Sequence, residues 1–354
     1  KYPVMKWPDL PPEVSENPAK HAVAIKLEKN LLFLPVHQSM RVRDLKKIAI
    51  FISGNVIKSP TIENFQLECY NGREELWNAY LTSVSKPNLM QTWPYGEAKS
   101  EVEGWDIYRG IIKKDANIVA IFQALKKSWG PFKIIRINRG PLLISKEDEL
   151  INRYNIYKLI RGGHKWWRGK FLFIAPDLNG SPDNYSILKL LSYRNRKVDS
   201  WKSSVINLSF PEDELRAKLN GKWRNQLKKA ESYNLELIVD KSNESFRWLL
   251  SCYDQMIKEK LFKGTSAKFY SVLQRNNKNN HFIFKVKHLN TLVAGILIIL
   301  HGKSCVYQIG WNNSEGRKVY ANNFLIWYAM LHMKKLECKW FDLGGVDLKN
   351  TPGI

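Results

Sequence analysis

Cysteine is scarce. The four present, Cys69, Cys252, Cys305 and Cys338, stand far apart and form no Cys-x-x-Cys pair, which argues against a zinc centre or a disulfide framework and fits a reducing compartment. Long apolar runs are lacking as well. The longest, Leu292 to Leu300, has the length of a strand and falls far short of a membrane span, and the N-terminus carries no signal-peptide pattern. Negative charge is also short: 33 Asp plus Glu against 56 Lys plus Arg leave a formal charge of +23. Such an excess favours polyanionic partners, whether nucleic acid, phosphorylated sugars or an anionic membrane surface. A Lys-, Asn- and Ile-rich composition from AT-rich coding would give the same excess without function, so charge alone names no partner. Finally, the chain has no Gly-x-Gly-x-x-Gly, no phosphate loop, no His-Glu-x-x-His and no Gly-x-Ser-x-Gly, which leaves dinucleotide, nucleotide-triphosphate, zinc-peptidase and serine-hydrolase chemistry without a motif.

What is present starts with length: 354 residues suffice for two domains with real cores. The strongest local pattern is Ser209 to Tyr233. Ser209 is placed to cap a helix, with Pro211 in its first turn and Glu212 reaching back. Leu215, Leu219, Trp223 and Leu227 recur every four residues and predict a buried stripe. Arg216, Lys222, Arg224, Lys228 and Lys229 would make the other side an anion-binding surface, with Gly221 a weak point in the middle of the helix.

In chain order, Trp7-Pro8-Asp9-Leu10-Pro11-Pro12 reads as a rigid extended opening. Leu31 to Gln38 follows as a short apolar strand and Arg43 to Ile52 as a helix. Ser53 to Asn64 reads as a linker. Then come a helix over Gly72 to Val84, strands over Trp105 to Ile112, Asn117 to Lys126 and Phe132 to Asn138, a helix from Ser145 with Asp148 in its capping box, and a strand over Lys170 to Ala175. The second half repeats this order after the basic helix. A strand at Leu235 to Val239 and helices at Glu244 to Lys260 and Ser266 to Gln274 precede strands at His281 to Lys287, Leu292 to Leu300 and Ser304 to Trp311. A helix over Tyr320 to Leu336 and a strand over Lys339 to Leu343 close the chain. A meander, a helix and a strand, present twice, predict two similar lobes.

Two resemblances attach to these residues. The Leu34-Pro35-Val36-His37 segment with its following helix resembles the C-terminal tail of the DegT/DnrJ family of PLP-dependent sugar aminotransferases. It covers residues 1–55 and contains neither that family's PLP-binding lysine nor its phosphate site. His37 there is read as structural. The second resemblance rests on four sequences in order: Gln91-Thr92-Trp93 with Lys99 and Gly104-Trp105; Arg139-Gly140-Pro141; Lys222 to Ala230; and Trp340 to Asp347 with Thr351-Pro352-Gly353. Together they resemble the FemAB/FemX family of double-GNAT-fold acyl- and aminoacyltransferases, over about residues 65–354. The fold class this implies is α/β (α+β): two GNAT-like lobes with mixed, largely antiparallel sheets flanked by helices. The lobes are expected at 65–205 and 206–354, after a linker at 56–64.

The resemblance implies attack of an amine on an activated acyl carbonyl. The reading is an N-acyltransferase forming an amide on a nucleotide- or lipid-linked amino sugar, or on a peptide precursor of the cell envelope. The alternatives are an aminoacyl-tRNA-dependent peptidoglycan-bridge aminoacyltransferase and a non-catalytic module that binds tRNA or glycolipid. Lys99 and Arg224 match the family's substrate-phosphate residues. Lys222, Lys228, Lys229, Gly344 and Gly345 are candidates for acyl-donor or tRNA contacts. No catalytic residue is assigned; Asp254, Glu259 and His301 are the acid or base candidates, with Asp342 and Asp347 as orienting or capping groups. No metal and no bound cofactor are expected, acyl-CoA or aminoacyl-tRNA being the donor substrate. The pyrophosphate-cradling Gln/Arg-x-x-Gly-x-Gly/Ala loop of ordinary acetyl-CoA enzymes is missing, its nearest substitute being Asn312 to Lys318 with one glycine. The start at Lys1 and the end before the family's Phe-Lys segment suggest a chain cut from something longer, and the resemblance implies that the lysine of that segment helps stabilise the transition state, so its lack here puts the activity of this chain in doubt. The expected setting is the cytoplasm, at the inner face of the membrane, with fusion to or association with a sugar aminotransferase.

Overall fold

The computed structural model describes residues 64–144, 150–162, 169–178, 180–196, 203–261 and 264–345. The chain divides into two compact units, 1–62 and 63–354, and the described residues lie in the second. The aminotransferase-like tail with His37, the linker up to residue 63, the start of the helix expected at Ser145, and the Asp347 and Thr351-Pro352-Gly353 positions lie outside the described residues.

The first half runs β1 (Phe65–Cys69), α1 (Glu74–Ser83), α2 (Trp93–Glu103), β2 (Asp106–Lys114), β3 (Asn117–Trp129), β4 (Phe132–Asn138), β5 (Leu142–Leu143), α3 (Leu150–Gly162), β6 (Lys170–Ala175) and α4 (Pro182–Leu190). Its sheet is ordered β1-β2-β3-β4-β6, with β5 on β3, and only β4 and β6 are parallel. The second half runs β7 (Ser203–Asn207), α5 (Glu212–Ala217), α6 (Gly221–Ser232), β8 (Leu235–Asp240), α7 (Asn243–Lys260), α8 (Ala267–Arg275), β9 (His281–His288), β10 (Thr291–His301), β11 (Ser304–Asn312), α9 (Ser314–Lys318), α10 (Ala321–Lys335) and β12 (Trp340–Gly345). Its sheet is ordered β7-β12-β11-β10-β9-β8, with β11 and β12 the parallel pair. Strand, two helices, three-strand meander, helix and parallel strand thus occur twice, as the two-lobe reading expects.

Side-chain alternation along β10 explains how the lobes join. Ile296 and Ile298 point to one face and pack with Leu227 of α6 and Trp327 of α10. Leu297 and Ile299 point to the other, where Leu249 of α7 and Phe269 and Leu273 of α8 meet Leu89, Tyr95 and Ala98 from the first half. Helix α2 therefore completes the core of the second lobe, and the two lobes share apolar burial rather than merely touching.

The single helix expected over Ser209 to Tyr233 is two helices. Ser209 does not cap: its N–H donates to Asn207 Oδ1 at 2.9 Å, and Pro211 occupies the N-cap of α5 with no side-chain cap bond. The chain breaks after Ala217 and restarts where Asn220 Oδ1 accepts from the Lys222 N–H at 3.0 Å. The break runs up to Gly221, where the sequence predicts that the helix loosens or breaks, and Asn220 caps the restart. The apolar stripe survives the break, since Leu215 and Leu227 are buried and Leu219 and Trp223 pack on the same core. Arg216 ties the pieces together through both oxygens of Glu231.

Helices α2 and α4 were not expected from the sequence, yet their punctuation is ordinary. Thr92 caps α2, Pro94 sits in its first turn and Gly104 (φ 66°) ends it, while Ser181 and Pro182 begin α4. Both helices are short and weakly patterned, so the signal lay in the caps and not in the periodicity.

Candidate functional site

Three of the four family-like sequences meet at the seam between the lobes. The Gln91 side chain bridges two strands, donating to Gln123 O at 3.1 Å and Asn138 O at 2.7 Å while accepting from the Gln123 N–H at 2.6 Å. Gly140 is required beside it, because a Cβ there would stand 2.8 Å from the Gln91 amide. Arg139 donates to Asp342 Oδ2 at 2.7 Å and to Asp177 Oδ2 at 3.2 Å. Burial opposes its charge, but the two carboxylates outweigh burial and hold the guanidinium above its ordinary pKa. Trp340 Nε1 donates to Ser85 O at 2.9 Å. Asp342 is thus an inter-lobe clamp, and its other oxygen accepts from the Gly344 N–H at 2.8 Å.

Beyond that clamp the second lobe opens. Strands β11 and β12 pair only at Ser304–Trp340, Cys305–Phe341 and Val306–Asp342. Past Val306, β11 stays on β10 as far as the Ala294–Asn312 pair, and β12 stays on β7 to the Gly345–Ser203 pair. Among the described residues, Leu343 to Gly345 and the stretch of β11 that faces them from Tyr307 onward are therefore not paired across to each other, and they line a slot. Gly344 (φ 83°) lies at its mouth, where a Cβ would be 3.3 Å from Tyr307 O. The Tyr307 hydroxyl lies against Gly310, and burial pushes its pKa up to about 12, so it stays protonated. In the first lobe the equivalent pair, β4 and β6, is zipped from Lys133–Lys170 to Asn138–Ala175 without a gap.

The basic helix stands at the end of the slot where β11 passes into α10. Asn323 Nδ2 of α10 donates to Gln226 Oε1 at 3.3 Å, and Lys229 Nζ lies 5.9 Å from the ring centroid of Tyr320, the N-cap of α10. Lys222, Arg224, Lys228 and Lys229 are all exposed, and Arg224 is held by one bond, Nη1 to Ala217 O at 3.0 Å. Cations beside a helix N-terminus suit an anionic group. Asn312 to Lys318 is no glycine-rich loop: Asn313 Oδ1 accepts from the Gly316 N–H at 2.8 Å and starts α9. Gly316 is there because a Cβ would stand 2.4 Å from Val293 O.

Lys99 lies elsewhere. It projects from α2 over the rings of Phe269, at 4.8 Å, and Tyr95, at 5.6 Å, and pairs with Glu103. Helices α2 and α8 cover the face of the second sheet opposite α6, so Lys99 and Arg224 do not form one clamp by direct contact. Asp254 lines an open groove of about 490 Å³ with Arg247, Ser251 and Lys258, and Glu259 accepts from Gln255 Nε2 at 2.8 Å. His301 is buried beside the Arg139–Asp342 pair, with Nδ1 3.2 Å from Ile299 O. Burial lowers its pKa to about 4, which makes it a neutral packing residue. The slot residues Tyr307 to Trp311 drew no functional expectation, since in sequence they are an ordinary strand and only the pairing of the described residues sets them apart.

Residues 217–349 match the family described as acetyltransferase (GNAT) domain, a span that runs from the end of α5 past the end of β12. No curated protein matches the sequence. Among solved structures, one described as the crystal structure of FemX is similar at TM-score 0.65 and 15% identity, over 79% of this chain and 89% of that one. A conserved protein of unknown function from Bacteroides thetaiotaomicron is similar at TM-score 0.50 and 9% identity, over 79% and 90%. A tandem GNAT protein from the clavulanic acid biosynthesis pathway gives TM-score 0.44 and 9% identity, over 82% and 92%. The chain has a two-lobe GNAT-like fold, and residues 217–349, within its second lobe, match the GNAT domain model. None of these matches supports the aminotransferase-like reading of residues 1–55.

Proposed function

We propose that the protein is an N-acyltransferase whose second lobe holds the acyl donor. The observation that carries this is the parting of β11 and β12 after Val306–Asp342, against the unbroken β4–β6 pair in the first lobe. An acyl donor with an amide-containing arm can lie in such a slot as an added strand, its amides meeting the unpaired backbone groups. A backbone N–H of Tyr307 to Asn312 then lies within reach of the carbonyl as negative charge develops on it. Lys222, Arg224, Lys228 and Lys229, with the start of α10, take the phosphates of the donor, and Gly344 and Gly345 let it approach the backbone.

The acceptor is an amine on a phosphorylated amino sugar or peptide precursor of the cell envelope. Lys99, on the inter-lobe side, takes the acceptor's phosphate in this reading. The attacking amine loses one proton as the amide bond forms and the thioester sulfur leaves. Acyl-CoA is the first donor proposed, and the basic face of α6 supports aminoacyl-tRNA as the second. The test is mass-spectrometric acylation of amino-sugar nucleotides with acyl-CoAs, beside peptidoglycan precursor with charged tRNA. A mass gain lost in Arg224→Ala supports the reading and names the donor. No gain in either set, with salt-sensitive tRNA or glycolipid binding intact, replaces it with a binding module.

A further inference from the structure

The β3–β4 turn, Ser128-Trp129-Gly130-Pro131-Phe132, stands at one end of the first sheet. Trp129 is 81% exposed, Phe132 47% and Phe171, near the start of β6, 36%. They are gathered at one place. The rings of Phe132 and Phe171 are 6.0 Å apart, and the Lys133 N–H donates to Gly169 O at 2.8 Å. Gly169 (φ 68°) approaches the turn so closely that a Cβ would stand 2.8 Å from Pro131 O. The β3–β4 turn and the start of β6 thus present three exposed aromatic rings as one tip.

Cations stand near that tip. By strand alternation Lys127 and Arg136 share the face of Trp129, Phe132 and Phe171, while Lys133 and Lys170, opposite each other in register, share the reverse face. All four are exposed. No acidic residue occurs within Lys126–Arg136 or Lys170–Phe173. Lys127 Nζ donates to Glu103 O at 3.0 Å and lies, like Arg136, over the Trp105 ring, so Lys133 and Lys170 are the cations that flank the tip itself.

The second lobe supplies the comparison. Its corresponding turn, His301-Gly302-Lys303 between β10 and β11, has no aromatic residue and packs against the first half, where a Cβ on Gly302 would be 3.0 Å from Pro87 Cγ. The same hairpin is closed off in one lobe and carries Trp and Phe into solvent in the other. Apolar side chains clustered in water are a docking surface more often than a packing accident.

We propose that this tip docks on a lipid bilayer with anionic headgroups, Trp129, Phe132 and Phe171 entering the interfacial layer and Lys133 and Lys170 meeting the phosphates. Trp favours that layer. Each cation near an anionic surface adds about fivefold to partition, and an apolar tip together with flanking cations is the pair of signals that stable peripheral binding needs. The described helices include none long and apolar enough to cross a membrane. A single-stranded nucleic acid fits less well: it needs ring faces free along one face of the sheet, whereas Phe132 and Phe171 pack on each other and Lys133 and Lys170 lie on the reverse face. This inference does not depend on the acyl-transfer reading, because it is read by binding and not by turnover.

Co-sedimentation of the full chain with phosphatidylcholine vesicles, with and without phosphatidylglycerol, tests it. Pelleting is expected with the anionic vesicles and weak or absent with the neutral ones. W129S/F132S/F171S and, separately, K133E/K170E should each lower partition by about tenfold or more, with Leu289→Ser, at the exposed β9–β10 turn, as a control that changes nothing. The charge variant leaves the apolar tip untouched and keeps the test decisive if the triple variant misfolds. Wild type that does not pellet with anionic vesicles, or variants that pellet like wild type, would overturn the proposal. So would loss of oligouridylate binding in the same variants without any vesicle binding.

Discussion

The two lobes are built to one plan and differ where their parallel strands meet. In the first, β4 and β6 hold register over six consecutive pairs; in the second, β11 and β12 hold it over three, and Leu343 to Gly345, the last described residues of β12, are not paired to β11. A zipped pair satisfies its own backbone and leaves nothing for a ligand, whereas a parted pair presents donors and acceptors along a slot. The difference teaches how one plan serves two roles in the structure: the first lobe contributes α2 to the shared core and one wall of the seam, and the second carries the parted strand ends.

Asp342→Ala should break the comparison most severely. It strips Arg139 of one carboxylate at a mostly buried site and frees the Gly344 N–H at the slot mouth. A cost of about 3 kcal/mol is expected from leaving one partner of a buried pair, read by denaturant unfolding, with faster amide exchange in β12. Gly344→Val comes next. Its left-handed backbone disfavours a β-branched residue by about 1–2 kcal/mol, and the side chain enters the slot. Acylation should fall by two orders of magnitude or so, about 2.7 kcal/mol of barrier. Ala175→Val, at the end of the closed β6, should leave the rate unchanged.

Arg224→Ala should raise the donor KM about tenfold through loss of charge-assisted phosphate bonds, with melting unchanged because Arg224 is exposed. Lys99→Ala should act on the acceptor KM and not the donor's, which would sharpen the division of tasks. The smallest effect is on pH dependence. His281 and His301 are buried, and burial lowers both pKa values from 6.5 to about 4. The unfolded chain takes up these protons first. Their stabilisation is therefore whole above pH 6.5 and is lost as pH falls toward about 4. A melting series should fall over that range, less steeply in His301→Gln.

Much of this was legible in the sequence. Strands with period-two patterns and firm turns came out closely: Phe132–Asn138 and Lys170–Ala175 are as expected. The repeat followed from element order. Ser209 misled because Asn220 and Gly221 restart the helix more strongly than Ser209 starts it. Short edge strands such as β1 and β7 gave no pattern, since five residues paired along one side need little of it. At the site, the Gln91, Arg139 and Trp340 sequences marked a real convergence, but they turn out to build the seam. The slot itself was invisible, because whether two strands pair or part is decided by tertiary geometry and not by their composition.

The decisive measurement is hydrogen exchange with and without acyl-CoA, followed peptide by peptide. Donor held in the second lobe predicts protection at 304–312, at 340–345 and at the start of α10, with 132–138 and 170–175 unchanged. Protection appearing instead in β4 and β6, or none in β11 and β12, would contradict the assignment of the opening to the acyl donor.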